Sequence, residues 1–359
     1  MCLVLEMHQS ECNPQRLRVE EFPSGNVLPQ KFLSMFKDWS LSIRRLRELP
    51  TNAGDYENHG KQSCDAFNNS LSILEKRDNA IVIGSGNLID VPYEQLLEIF
   101  GTVSFSDIDV NSTRNTLLSL DSEKSSNIDR LIREDITGVY FNIIKDLDSI
   151  FYESLNLEQT LNRIIQKLDG ISDETEKIDM NPLATILGKD SYDFVSSSFV
   201  SSQLTFAILV NIQTRIKNKY KYELGPVVES TQNKDQQFFI SFTKFTNFLI
   251  SRHFELLAKI IKPEGVLHLS VTPGILYFKR DLSGEIHLIK NGIMLDMPFI
   301  NVALSLFFTP QNDLNSNWIY VKHNPLNGQD SGEAYQATSI PCKPKLKEGG
   351  KIDDWSNLE

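Results

Sequence analysis

Within the 359 residues of this chain, chemistry-bearing residues are densest in "AIVIGSGNLIDVPYEQLLEIFGTVSFSDIDV", residues 80–110. A short β-branched run ends in the turn Gly84-Ser85-Gly86. A helical stretch follows, and a second apolar run closes on Asp107 and Asp109. Glycines in such a turn let a ligand approach the backbone, because no Cβ stands in the way. A carboxylate roughly 20 residues further on, at the end of the next strand, is placed to accept hydrogen bonds from a ribose diol. Asp107 has that spacing from Gly86, with Asp109 as the alternative ribose ligand or as the cap of the next helix.

Two phosphate-binding patterns are incomplete here, which weakens an NAD reading. The dinucleotide pattern needs a third glycine, and Ile89 stands in its place. No glycine-lysine-serine/threonine follows, so the phosphate-cradling loop of nucleotide hydrolases is absent. What remains is a ligand with a ribose and an adenine but no pyrophosphate, for which S-adenosylmethionine is the candidate cofactor.

The elements that must position these residues alternate. "AIVIGS" reads as a strand buried on both faces, "VPYEQLLEIFG" as a helix and "TVSFSDID" as the next strand. "VNSTRNTLLSLD" is a second helix and "IDRLIREDITG" a third strand. Strand–helix repeats of this length imply a parallel sheet with right-handed crossovers. The pattern resumes with "DSYDFVSSS" (190–198), two long helices and the strand "GVLHLSVT" (265–272). Antiparallel segments follow, "GILYFKR" with "GEIHLIK" and "WIYVKH" with "EAYQATSI".

Several of these segments resemble class I S-adenosylmethionine-dependent methyltransferases: "IVIGSGNLIDVP", "VSFSDID", "REDITG", "YDFVSSSFVSSQL" and "LLAKIIKPEGVLHLSV", in that order. The resemblance spans about 80–138 and 188–275. It implies an α/β fold with a Rossmann-like, mostly parallel sheet and an antiparallel strand at the C-terminal end. It implies that Gly84, Ser85 and Gly86 pass the methionine moiety and that Asp107, with Ile108 beside it, binds the ribose end. Asp135 and Ile136 then meet the adenine, and Ser196, Ser197 and Ser198 open beside the transferable methyl. Two positions depart from the family: Val82 stands where an acid is usual, and Leu88 replaces the third glycine. Asp90 either takes over contact with the cofactor's amino group or caps the following helix.

The expected organisation is a helical addition over 1–75, a methyltransferase domain over 76–342 with a helical insertion at 139–187, and a polar tail at 343–359. In the addition, a helix is expected over 28–49 and another over 66–77, with a turn-rich stretch between; together they form either a scaffold or a lid. In the insertion, Tyr140, Phe141, Phe151 and Tyr152 line a pocket or belong to the core.

No N/D-P-P-Y/F motif follows the fourth strand, so methylation of adenine, cytosine or glutamine amino groups is not supported. Ser197 and Ser198 orient an acceptor or cap a helix. His253, His268, His287 and His323 are candidate bases, none of them singled out, and no histidine pair has metal-ligand spacing. The acceptor is a small molecule or a protein. The net charge of −11 argues against nucleic-acid backbone as the main partner, and the basic run Arg215, Lys217, Lys219, Lys221 reads as a solvated helix end or, as the alternative, a local basic patch. No stretch reaches membrane-spanning length. Four scattered cysteines without a C-x-x-C pair fit a reducing, cytoplasmic setting. A non-catalytic relative that binds the cofactor is the alternative function, and an NAD-dependent oxidoreductase is third.

Overall fold

The computed structural model describes residues 17, 19–21, 53–133, 135–136, 138–173, 182–201, 204–224, 233–280, 286–293, 297–324 and 330–345. The helix expected over 28–49 and nearly all of the tail lie outside them. In chain order the elements are β1 (Val19–Glu21), α1 (Ala53–Ser72), β2 (Asn79–Ile83), α2 (Tyr93–Ile99), β3 (Thr102–Asp107), α3 (Val110–Leu117), α4 (Ser122–Ser125) and β4 (Ile128–Arg133). The insertion contributes α5 (Tyr140–Tyr152), α6 (Leu157–Asp173) and α7 (Pro182–Leu187). Then come β5 (Tyr192–Ser198), α8 (Phe206–Tyr220), α9 (Asn233–Ile260), β6 (Ile261–Arg280), β7 (Ile286–Ile293), α10 (Met297–Phe307), β8 (Phe308–Pro310), β9 (Ser316–Asn324) and β10 (Asp330–Pro344).

These strands form one sheet in the order β1-β4-β3-β2-β5-β6-β10-β8, with β7 paired to β6 and β9 to β10. From β1 to β6 every pairing is parallel, and β10 runs antiparallel to β6. This is the expected Rossmann-like sheet. The chain leaves β2 toward β3 and β4 on one side, then returns to lay β5 and β6 on the other. The order therefore reverses between β2 and β5, the point beyond whose carboxyl strand ends open sheets of this kind bind their ligands.

Strand periodicity divides the core into two layers. Ile81 and Ile83 join the cluster built with α5, α6, α8, α9 and α10, while Ala80 and Val82 join the cluster with α1, α2 and α3. All four are fully buried, and the run lacks polar alternation because both faces of β2 are covered.

Two local features differ from expectation. Helix α1 begins at Ala53, inside the stretch read as turns. Gly54 and Gly60 weaken its intrinsic propensity, but His59, Ser63, Phe67 and Ser70 are buried against the rest of the protein, so tertiary packing sets its extent. The "KPEG" turn survives as an irregularity inside β6. Ile261 pairs with Tyr192, and Val266 already pairs with Phe194. A Cβ on Gly265 would lie 2.9 Å from the Asp193 carbonyl, so only glycine fits that approach.

Candidate functional site

The turn after β2 is built from left-handed backbone. Gly84 has φ 70°, Gly86 φ 49° and Leu88 φ 61°. Gly84 and Ser85 both donate N–H to the Ser106 carbonyl, at 2.8 and 3.2 Å, which fastens the turn to β3. A Cβ on Gly84 would lie 2.2 Å from Val200 Cγ2, so the chain after β5 closes against it. A Cβ on Gly86 would meet nothing within 4 Å. The open side of the turn is therefore at Gly86.

Leu88 occupies the third-glycine position yet keeps the left-handed backbone a glycine would adopt. Its side chain is buried in the α1/α2/α3 layer, and that burial holds a conformation a bulky residue rarely takes.

Asp107 ends β3 directly beside this turn. Its Oδ2 accepts from the Gly86 N–H at 2.9 Å and its Oδ1 from the Asp109 N–H at 2.7 Å. Burial raises its pKa above the ordinary carboxylate value, and these two N–H groups only partly oppose that. A carboxylate offers about four acceptor sites, so each oxygen retains one for a ligand hydroxyl. Asp109 instead stands at the start of α3 and accepts from the Ser112 hydroxyl. Of the two acids, Asp107 faces the turn.

Three of the other expected ligands, Ile108, Asp135 and Ile136, follow the carboxyl ends of the neighbouring strands β3 and β4, whereas Ser196 lies inside β5 opposite Val82. Asp107 is in register with Arg133 at the end of β4, so Ile108 and the Asp135–Ile136 pair follow adjoining strands. Ile108 and Ile136 are half-buried against one core layer, and Asp135 is buried. Ser85 belongs to the turn, but its hydroxyl points inward to Thr113 at 2.7 Å; Thr113 also donates to the Gly86 carbonyl. Ser196 is fully buried and bonds to Ser198.

Other candidates with described side chains are engaged in contacts within the protein. Ser197 lies within β5, bonds to His253 Nε2 at 2.8 Å and caps no helix; Thr205 stands at the start of α8. His253 and His268 are enclosed, and burial pushes both pKa values down to about 3, so at neutral pH they carry no charge. His268 is held between Ser70 and Ser270. The side chains of His287 and His323 lie outside the description. The basic run at the end of α8 is engaged internally: Arg215 pairs with Asp148, Lys217 with Glu223, and Lys219 donates to two carbonyls. Among the described residues no group of three or more His, Cys, Asp or Glu is arranged to hold a metal, and no helix is long and apolar enough to cross a membrane.

Asp90 does not cap α2, whose start at Pro92 has no side-chain cap. Its Oδ1 accepts from His59 Nε2 at 2.7 Å, and Trp318 Nε1 donates to His59 Nδ1 at 2.8 Å. Neither His59 nor Trp318 stood out in the sequence, because they lie far apart in the chain and in unpatterned surroundings.

No protein-family model matches the chain, and no curated protein matches it by sequence. Solved structures do match. The N-methyltransferase NodS of Bradyrhizobium japonicum, in complex with S-adenosyl-L-homocysteine, shares 9% identity over 79% of this chain and 86% of its own, with a TM-score of 0.33. A S-adenosylmethionine-dependent methyltransferase from Clostridium acetobutylicum shares 8% identity over 86% and 98%, with a TM-score of 0.34. A TehB-like methyltransferase from Corynebacterium glutamicum shares 8% over 86% and 97%, also at 0.34. At such scores the likeness carries no argument about the site, whose interpretation rests on its own geometry.

Proposed function

We propose that the chain is an S-adenosylmethionine-dependent methyltransferase acting on a small-molecule or protein acceptor in the cytoplasm. The observation that carries this reading is Asp107: a half-buried carboxylate hydrogen-bonded to Gly86, with acceptor capacity left beside the open face of the turn. In this reading Asp107 holds the ribose hydroxyls. Ile108 and Ile136 offer apolar faces to the adenine, and Asp135 offers a carboxylate to its amino group. Gly84, Ser85 and Gly86 line the path of the methionine moiety through their backbone. The bound cofactor supplies an electrophilic methyl. The protein's part is to hold an acceptor in line with it and exclude water. Ile89, standing at the third glycine of the dinucleotide pattern, weighs against NAD.

Calorimetry with S-adenosylhomocysteine, S-adenosylmethionine and NADH tests the reading. Micromolar binding of the adenosyl ligands, lost in Asp107→Ala, is expected, and a charge-assisted bond of this kind contributes roughly 1.5–3 kcal/mol. Absence of adenosyl binding, or a preference for NADH, overturns it. A second reading, a cofactor-binding relative without catalysis, is favoured by Val82 and by the enclosure of His253 and His268. Transfer of labelled methyl into a lysate separates the two.

A further inference from the structure

Asp90 is held from two directions by one face of α1. The Ser63 hydroxyl donates to its backbone carbonyl at 2.7 Å, and His59, one turn earlier, donates to its carboxylate. The direction of the second bond follows from donor chemistry. An indole N–H only donates, so Trp318 fixes His59 Nδ1 as the acceptor and leaves the ring proton on Nε2. That proton points at Asp90 Oδ1. With its proton on Nε2, the ring fixes the carboxylate's position as a hydrogen-bond donor.

His59 is buried and sits where several elements meet. Its ring is 5.8 Å from that of Phe199, which itself meets Trp318 edge-on at 6.2 Å. Phe199 directly precedes Val200, the residue that closes on Gly84. The relay thus ties α1, β9 and the chain after β5 to the far end of the glycine turn.

The other oxygen of Asp90 has no hydrogen-bond partner among the described residues, and its side chain is 29% exposed. The turn consequently presents an oriented anion four residues beyond Gly86. Val82, buried and apolar on the preceding strand, cannot supply one. We infer that Asp90, positioned by the Trp318–His59 relay, binds the α-ammonium of the cofactor's methionine moiety. The inference rests on the adenosyl-cofactor reading and assigns its cationic end.

The test compares two ligands that differ only at that group, S-adenosylhomocysteine and its desamino analogue, by calorimetry on the full chain. The wild type is expected to prefer S-adenosylhomocysteine by about tenfold or more, the scale of one charge-assisted bond. In Asp90→Asn that preference should collapse, with affinity for the desamino analogue kept. Trp318→Phe, which leaves Asp90 intact but releases His59 Nδ1, should narrow it partially. A wild type that does not discriminate overturns the inference without folding a variant. A preference that persists in Asp90→Asn also overturns it, because the ammonium is then held elsewhere. If neither ligand binds the wild type, the cofactor reading falls, and this inference with it. Binding without discrimination removes only the assignment of Asp90.

Discussion

Replacing Leu88 tests whether the turn keeps the conformation of the glycine it lacks. Leu88 is 3% exposed with φ 61°, so two opposing effects meet there. Truncating a buried leucine to alanine costs about 2–5 kcal/mol in lost transfer energy and cavity. Alanine keeps its Cβ in a left-handed backbone, a strain of about 1–2 kcal/mol that glycine does not carry. Against that, glycine loses more chain entropy on folding than alanine, by about 0.4–1 kcal/mol, and gives up a buried methyl worth about 0.8 kcal/mol. Both variants are therefore destabilised, and at Leu88 these opposing terms should bring glycine and alanine to within about 1 kcal/mol of each other. Leu96 is the internal control. It is also buried but lies inside α2, where no left-handed strain favours glycine, so glycine should be worse than alanine by about 1–2 kcal/mol. Urea denaturation of the four variants, compared by midpoint at constant slope, gives the answer. The alanine-to-glycine change should cost about 1–2 kcal/mol less at Leu88 than at Leu96. An equal cost at both sites refutes the claim that Leu88 sits in a glycine conformation under strain.

Two further outcomes follow from named contacts. Asp193 is 1% exposed at the amino end of β5, where it accepts from the Asp78 and Asn79 N–H groups and from the Lys262 ammonium at 2.8 Å. Asp193→Ala should cost about 2–3 kcal/mol in urea unfolding, because these donors lose their acceptor. It should leave S-adenosylhomocysteine affinity intact, since the site is at the opposite strand ends; a fall in affinity at unchanged stability contradicts this. Asp107 has a pKa raised by burial. Relative to Asp107→Asn, the wild type should therefore gain stability on acidification and lose that gain as pH rises through the folded value. Cofactor affinity should fall on acidification at a midpoint above the ordinary aspartate value of about 3.9. A midpoint at or below it, or the same fall in Asp107→Asn, rules the assignment out.

The parallel half of the fold was legible because its signals are local. "AIVI" is a continuous apolar run, as a strand covered on both faces requires, and the glycine-to-acid spacing is fixed by one strand–helix–strand unit. Strand β1 was not legible, since three residues carry no period. Helix α1 was hidden for a different reason. The polar residues of "NHGKQS" suggest turns, but His59 and Ser63 are buried with partners at Asp90 and Trp318, and Trp318 is 259 positions away from His59. The aspartate of "YDFV" is plain in the sequence but its use is not, which is to tie the amino ends of β2 and β6. The serines after it alternate into two core layers, a face assignment that needs the packed helices.

The two departures from the family pattern also differ in kind. At the third position Leu88 adopts a backbone conformation that glycine reaches without strain. A fold that is otherwise well determined can force Leu88 into that conformation at an energetic cost, and burial of its side chain offsets the strain. An acid at position 82 would supply charge, and no backbone adjustment replaces charge. On the adenosyl-cofactor reading, that charge has to come from a second carboxylate with a partner to aim it, and Asp90 has such a partner in His59.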